Sequence, residues 1–279
     1  MNAALSVRSV RGRQDPKLIA RLAAAAHAIR TLSIAAIHHA GSGHPGRALS
    51  VADVLAALYG AEMNLWPAHL DDPDRDRLVL SDADAAPALY AAGAHFGFCT
   101  ADDALRLHKR SAEMPWADAG RDRSISVALG MAQGLKLKKS PARVYAMLGS
   151  SELRAAAACA SHGGVDNFVA IADYDDSGAN VVGLETKFRA SGWEVIEIDG
   201  HDLDVIVSAF EKAFEVAGKP VVILAHTLKG KGVLFMEDVP DWNGDVMLSR
   251  QQAEDALKAL GCGAQDFARL LDLRKVETR

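Results

Sequence analysis

Two stretches that follow apolar runs carry the residues whose types and spacing best suit chemistry. Val144–Leu148 is a short β-prone run that leads into Gly149-Ser150-Ser151-Glu152, and Phe168–Ala172 leads into Asp173-Tyr174-Asp175-Asp176-Ser177. An alanine-rich helical pattern separates them, so the order is strand, glycine turn, helix, strand, acidic loop. In a parallel sheet both loops emerge at the carboxyl ends of neighbouring strands, where open α/β sheets bind ligands. A diphosphate bound there would normally be bridged by a divalent metal that takes oxygen ligands from the two loops.

A third candidate lies near the amino terminus, where His44 stands between Gly43 and Pro45. The glycine and the proline restrict the backbone, which suits a side chain aimed into a cleft. Arg47 follows three residues later. Its guanidinium could bind a phosphate or a carboxylate, or it could be solvated.

Other histidines are better explained by packing than by chemistry. His38 and His39 precede a glycine-rich segment and could suggest a metal site, but they have no acidic or cysteine partner at ligand spacing. We therefore favour packing at a helix end. His201 lies in Asp199-Gly200-His201-Asp202, where a structural turn residue is the favoured interpretation over an acid–base catalyst.

The acidic residues near the second loop leave two possibilities open. Glu152, Asp173, Asp175 and Asp176 could hold magnesium or calcium together with water, because carboxylate oxygens suit both ions. A metal-free surface turn is the favoured interpretation of the run, since Asp and Gly both favour turns.

Length, composition and charge limit the class of protein. With 279 residues and 49% hydrophobic residues, the chain can bury a full core, and we expect one α/β domain over 16–279 after a loose arm over 1–15. The net charge of −5 provides no basic field for nucleic acid or an anionic membrane. The three cysteines form no CxxC pair, which favours a reducing cytosol. No apolar run of membrane-spanning length is apparent, so we predict a cytoplasmic protein with no membrane partner.

The predicted fold is a three-layer helix–sheet–helix sandwich with a mainly parallel sheet. Apolar runs predict parallel strands over 78–80, 143–148, 168–172, 193–198 and 220–225. Helical patterns cover 16–40, 50–63, 101–110, 185–191 and 203–217, and two further helices in the tail are separated by 261–263.

The chain resembles the amino-terminal half of the transketolases, the half that holds the diphosphate of thiamine diphosphate. The segments that carry the resemblance are Ser42-Gly43-His44-Pro45-Gly46 with the adjoining 49–59, and then 85–90, 199–202 and 227–233. The resemblance covers nearly the whole chain to about residue 260 and implies the thiamine diphosphate-binding fold.

The resemblance also implies a cofactor, a substrate and roles for particular residues. Thiamine diphosphate and magnesium would be the cofactors, and His44 would contact a sugar substrate near its reacting carbon, with Arg47 beside it. Lys229 and Lys231 would face the ligand cleft or a partner chain, with solvation as the open alternative. Cofactor-binding positions are occupied by Gly149, Ser150, Ser151, Asp84, Arg123, Lys229 and Lys231, and metal positions by Glu152, Asp175 and Ser177.

Several residues depart from the family pattern, all at positions that serve the cofactor or proton transfer. Ser150 and Ser177 replace the aspartate and the asparagine that hold the metal in the family. Asp82 and Asp84 replace a lysine and a histidine, which reverses the local charge and would repel a diphosphate.

Two more departures lie further along the chain. Arg123 stands at a turn that is rich in glycine in the family, and its bulk would fill space that a diphosphate uses. Asn243 replaces a histidine that moves protons in the family, and an amide cannot exchange a proton near neutral pH. We therefore expect thiamine diphosphate binding to be weak or absent in this chain.

Three hypotheses for function follow. The first is a transketolase-type amino-terminal subunit with a degenerate cofactor site, which would need a separate carboxyl-terminal subunit and form a homodimer or heterotetramer. The second is an active two-carbon ketol transferase with a rearranged metal site that uses Glu152 and Asp175. The third is a non-catalytic module in which His44, Arg47 and the lysines near 230 bind a sugar phosphate or another anionic small molecule.

Overall fold

A computed structural model describes residues 15–81, 83–106, 114–119, 125–149, 153, 156, 164–174 and 183–272. Its six strands form one sheet in the order β2-β1-β3-β4-β6-β5, and every pair of neighbours is parallel. The strands are β1 (Arg77–Leu80), β2 (Asp118–Ala119), β3 (Val144–Leu148), β4 (Phe168–Tyr174), β5 (Glu194–Asp199) and β6 (Val221–His226). The predicted parallel sheet is confirmed, with strand bounds shifted by one or two residues. The prediction missed β2, because a two-residue edge strand has no readable periodicity.

Helices cover both faces of this sheet. They are α1 (Pro16–Ala40), α2 (Pro45–Ser50), α3 (Ala52–Ala57), α4 (Ala86–His95), α5 (Ala101–Leu105), α6 (Ile125–Leu137), α7 (Leu184–Ala190), α8 (Leu203–Glu215), α9 (Arg250–Ala259) and α10 (Ala264–Leu271). The predicted bounds of α1 are confirmed, because Asp15 accepts a hydrogen bond from the Lys17 amide at 2.9 Å and Gly41 ends the helix at φ 74°.

The predicted continuous helix over 50–63 is wrong. Pro45 begins α2 five residues earlier, since proline suits the first turn of a helix. A break at Val51 separates α2 from α3, and a π-helical turn over Leu58–Glu62 follows α3. The predicted helix over 101–110 is seen as α5, which ends at Leu105, and residues 107–110 lie outside the described part of the chain.

Alternation along the strands divides the core between the two faces of the sheet. Tyr145 and Met147 of β3 pack with α1, α3, α4 and α8, whereas Val144, Ala146 and Leu148 pack with α6 and α7. This is the period-two alternation of a strand that is buried on both faces. The result is the predicted three-layer sandwich.

The sequence analysis recognised no apolar run of membrane-spanning length, but α1 is such a run. It has 25 residues, and an 18-residue window within it has a mean hydropathy of 1.3, which by length and composition alone would let it cross a membrane. Its side chains Ile29, Ile34 and Ile37 are fully buried in the core. Core helices of globular domains meet the same criterion, so this helix is explained by its packing.

Candidate functional site

The carboxyl edge of the sheet brings together side chains from α2, β4 and the segment after β6. Strand β3 ends at Leu148, β4 ends at Tyr174, and β6 leads directly into Thr227. Helix α2 places Arg47 against these strand ends. Parallel strands end at a common edge, which is the edge where such sheets bind ligands.

Arg47 spans the ends of two strands. Its Nη2 donates to the backbone oxygen of Leu148 at 3.1 Å, and its Nη1 donates to the backbone oxygen of Asp173 at 2.8 Å. The same Nη1 donates to Oδ2 of Asp173, which makes an ion pair. Arg47 is only 8% exposed, so the possibility that it is solvated is wrong. The carboxylate that it binds belongs to its own chain.

Asp173 is the centre of the resulting cluster. Its carboxylate also accepts hydrogen bonds from Ser50 Oγ at 2.8 Å, from Lys229 Nζ at 3.0 Å and from Thr227 Oγ1. Asp173 is 1% exposed and Lys229 is 9% exposed. Solvation is therefore wrong for Lys229, although Lys231 is half-buried and its predicted role stays a prediction.

The charges around Asp173 control its protonation. Burial by itself raises the pKa of this carboxyl, but the cations of Arg47 and Lys229 and the hydrogen bond from Thr227 outweigh burial and lower the pKa to about 2. Asp173 is therefore ionised at neutral pH. We refer to Arg47, Ser50, Asp173, Thr227 and Lys229 as the strand-end cluster.

His44 lies at the mouth of this region, next to Asp84. Their closest atoms, His44 Nδ1 and Asp84 Oδ1, are 3.5 Å apart, and the two side chains are 24% and 51% exposed. His44 is therefore partly open to solvent. Its predicted contact with a substrate stays a prediction.

The segment after β6 supports the loop that carries His44. The amide of Gly230 donates to Gly46 O at 3.0 Å, and the amide of Val246 donates to Gly43 O at 2.7 Å. A Cβ on Gly46 would lie 2.4 Å from Oδ1 of Asn243, so this glycine is needed for the close contact. The structure thus brings Asn243 next to Gly46 in the His44 loop.

A second buried cluster is centred on Asp53 and contacts the chain segment that follows β6. The carboxylate of Asp53 in α3 forms an ion pair with Arg30 of α1. Its Oδ2 also lies 2.8 Å from Nδ1 of His201. The amide of Leu228 donates to Nε2 of His201 at 2.8 Å. Burial raises the pKa of Asp53, and the hydrogen bond from His201 and the charge of Arg30 more than offset this, so the pKa is lowered. His201 holds the turn that carries Lys229, which supports its structural interpretation.

The other histidine prediction agrees with the structure. Nδ1 of His38 lies 2.9 Å from Leu248 O, and Nε2 of His39 lies 2.7 Å from Leu270 O. Both half-buried rings lie at the end of α1 and contact backbone carbonyl oxygens of segments near the end of the chain. The favoured packing role is confirmed.

The sequence analysis missed Ser50, Asp53 and Thr227, and it considered Asp173 only as a metal ligand. One signal was present: Arg47, Ser50 and Asp53 recur at intervals of three within an otherwise apolar stretch. Residues three apart lie on one side of a helical segment, so the three polar groups needed buried partners. The partner of Arg47 lies 126 positions away, which no local pattern reveals.

Several residues singled out in the sequence analysis lie outside the described residues. They are Asp82, Arg123, Ser150, Ser151, Glu152, Asp175, Asp176 and Ser177. Gly149 is described, and it is buried directly after β3.

The resemblance places a metal-bridged diphosphate at the ends of β3 and β4. Across the described ranges, no group of three or more His, Cys, Asp or Glu side chains could hold a metal ion. The guanidinium of Arg47 takes up the oxygens of Leu148 and Asp173 at the end of β3 and β4. Among the described residues, these oxygens therefore bind a side chain of the same chain, and positions 150, 152, 175 and 177, which the resemblance assigns to the cofactor and its metal, lie outside the described residues.

Comparison with known proteins identifies the family. Residues 22–135 and 140–270 match the family described as transketolase, thiamine diphosphate binding domain. The chain belongs to this family. The family's description implies thiamine diphosphate as the cofactor of its members.

Relatives with curated names differ in how much of their length this chain spans. It is 36% identical over 237 residues to 6-deoxy-6-sulfo-D-fructose transketolase subunit SqwG of Clostridium sp. (strain MSTE9), covering 76% of this chain and 86% of that protein. It is 33% identical to transketolase-like protein 2 of Mus musculus and 31% identical to human transketolase, covering 84% and 92% of this chain. It spans only 41% and 45% of those two proteins, which is less than half of each.

Solved structures show the same fold. Transketolase from Leishmania mexicana superposes with a TM-score of 0.74 at 20% identity, covering 90% of this chain and 44% of that chain. Transketolase from Campylobacter jejuni superposes with a TM-score of 0.73 at 23% identity, covering 92% of this chain and 46% of that chain. The transketolase-type sandwich is therefore retained around the strand-end cluster.

Proposed function

We propose that this chain is the amino-terminal subunit of a split transketolase-type assembly and that it does not bind thiamine diphosphate and magnesium in the usual way. A separate carboxyl-terminal subunit would supply the remaining domains, each subunit being present twice, in the cytoplasm. Any ketol transfer would then depend on cofactor contacts different from those of the family, and on an acid–base group other than Asn243.

The observation that carries this proposal is the pairing of Arg47 with Asp173. A diphosphate with its metal needs open space and uncommitted oxygen ligands at the ends of β3 and β4. Arg47 instead donates to Leu148 O and to both the backbone oxygen and the carboxylate of Asp173. Displacing this buried guanidinium would leave a buried carboxylate to be compensated by the incoming ligand.

The comparisons support the split arrangement. The chain spans less than half of human transketolase but 86% of a relative that is named a transketolase subunit. That relative acts, by its name, on a sulfonated sugar. The proposal for this chain extends only to an anionic sugar, such as a sugar phosphate, with His44 at the mouth of the cleft.

The test is isothermal titration calorimetry with thiamine diphosphate and MgCl2, on this chain alone and on its complex with a co-expressed carboxyl-terminal subunit. We expect no saturable heat from the chain alone, and at most weak binding by the complex that removal of magnesium with EDTA does not change. Tight, metal-dependent binding would refute the proposal and favour the ketol transferase with a rearranged metal site.

A second titration separates the remaining hypothesis. A sugar phosphate titrated in the absence of thiamine diphosphate would give saturable heat if the chain is an anion-binding module. The matched control is His44→Ala, since His44 is partly exposed and its removal leaves the strand-end cluster in place. Size-exclusion chromatography with light scattering on the co-expressed subunits measures the expected two-plus-two assembly.

A further inference from the structure

The strand-end cluster has the oxygen set of a cation site. Leu148 O, Asp173 O and the Asp173 carboxylate all accept from one guanidinium, and the hydroxyls of Ser50 and Thr227 contact the same carboxylate. Backbone carbonyl, carboxylate and hydroxyl oxygens are the ligands that hard divalent cations prefer in proteins. The group that these oxygens bind is the guanidinium of Arg47.

We propose that Arg47 is a built-in cation that occupies the strand-end site permanently and makes this edge of the sheet independent of a divalent metal. A guanidinium presents several N–H donors in a rigid fork, so one group can satisfy oxygens from two strands together. It is also tethered to α2 and cannot dissociate. This inference rests on the proposed function only in taking this edge as the family's cofactor edge.

Burial strengthens the interaction between the Arg47 guanidinium and the oxygens that it contacts. Arg47, Asp173 and Lys229 are each less than 10% exposed, so their charges are poorly screened by water. Removing Arg47 would leave Leu148 O and Asp173 O without this donor, in a buried place where an unsatisfied acceptor is costly. A free cation of suitable size and chemistry would then be attracted to the gap.

The experiment is a thermal unfolding series on wild type and Arg47→Ala, without additive, with methylguanidinium chloride, with MgCl2, and with NaCl at matched ionic strength. We expect Arg47→Ala to lose roughly 10 °C in Tm, as for a broken buried ion pair. Methylguanidinium or Mg²⁺ at ten times its Kd should restore roughly 3–6 °C in this variant. Wild type should respond to neither cation beyond the NaCl control.

The matched control is the double variant Arg47→Ala with Asp173→Asn, which keeps the gap but removes the carboxylate that would hold the cation. It should not respond to either cation. An equal response in the double variant, or no response in Arg47→Ala, would overturn the proposal.

Crystals provide an independent measurement if Arg47→Ala does not fold. Wild-type crystals soaked in MnCl2 should show no anomalous peak between Leu148 O and Asp173. A manganese ion at that point, with Arg47 displaced, would overturn the proposal. No coenzyme is used in either experiment, so failure here leaves the calorimetric test of the proposed function unaffected.

Discussion

The two buried ion clusters use similar groups but have different surroundings. Asp173 lies at the carboxyl edge of the sheet and pairs with two basic side chains, Arg47 and Lys229. Asp53 lies among helices and pairs with the basic side chain of Arg30 together with His201. His201 accepts a hydrogen bond from the Leu228 amide, which fits a neutral imidazole that donates from Nδ1.

The difference shows that burial and ion pairing do not identify a ligand site by themselves. The Asp53 cluster connects α1, α3 and the turn after β6, and its role is to position that turn. The strand-end cluster lies at the edge where parallel sheets bind ligands. The position of each cluster relative to the strand ends distinguishes the Asp53 cluster from the strand-end cluster.

The largest effect should come from removing each central carboxylate. We expect Asp173→Ala to lower the free energy of unfolding by about 3–5 kcal/mol, because Arg47 and Lys229 both lose their buried partner. Asp53→Ala should cost less, about 2–4 kcal/mol, because His201 can remain neutral. Urea unfolding followed by circular dichroism measures both. A cost for Asp53→Ala that equals or exceeds that of Asp173→Ala would contradict the comparison.

The dependence of stability on acid pH tests the contribution of the Asp173 carboxylate. The pKa of Asp173 is lowered to about 2 in the folded chain from an ordinary value of 3.8, so its stabilisation is present above about pH 4 and is lost as the pH falls towards 2. The pH series should show about 2 kcal/mol of stability lost over this window through Asp173. Asp173→Asn should flatten this part of the curve, as measured by urea unfolding at each pH. An unchanged slope in the variant would show that Asp173 does not carry this dependence.

The smallest effect should come from Asp84, at the exposed mouth of the site. Its side chain is 51% exposed and lies 3.5 Å from His44. Exposed ion pairs contribute little, so Asp84→Asn should change the free energy of unfolding by less than about 1 kcal/mol. Thermal and urea unfolding measure this change. A loss as large as that of Asp53→Ala would mean that the mouth is part of the structural core.

Much of the fold could be predicted from local patterns. Five strands, the bounds of α1 and the two tail helices follow from apolar periodicity and capping residues, because these signals act within a few residues of each other. The short strand Asp118–Ala119 could not be predicted, since it exists only by pairing with β1. The early start of α2 was missed although Pro45 signalled it.

The site was predicted less completely than the fold. His44, Arg47 and Lys229 were selected from motifs, and the structure brings Arg47 and Lys229 onto one carboxylate. The identity of that carboxylate, and the burial of both cations, depended on contacts across 126 and 56 positions. Ionic contacts between side chains so far apart in the sequence produce no periodic pattern in it.

The amino-acid sequence by itself determined that this protein is a parallel α/β sandwich of the transketolase family, because periodicity, turns and motifs are local properties. Only the tertiary structure decided that Arg47 pairs with Asp173 at the ends of β3 and β4. The physical reason is that a buried charge is stable only with a partner, and which partner is within reach depends on how distant segments meet at the edge of the sheet.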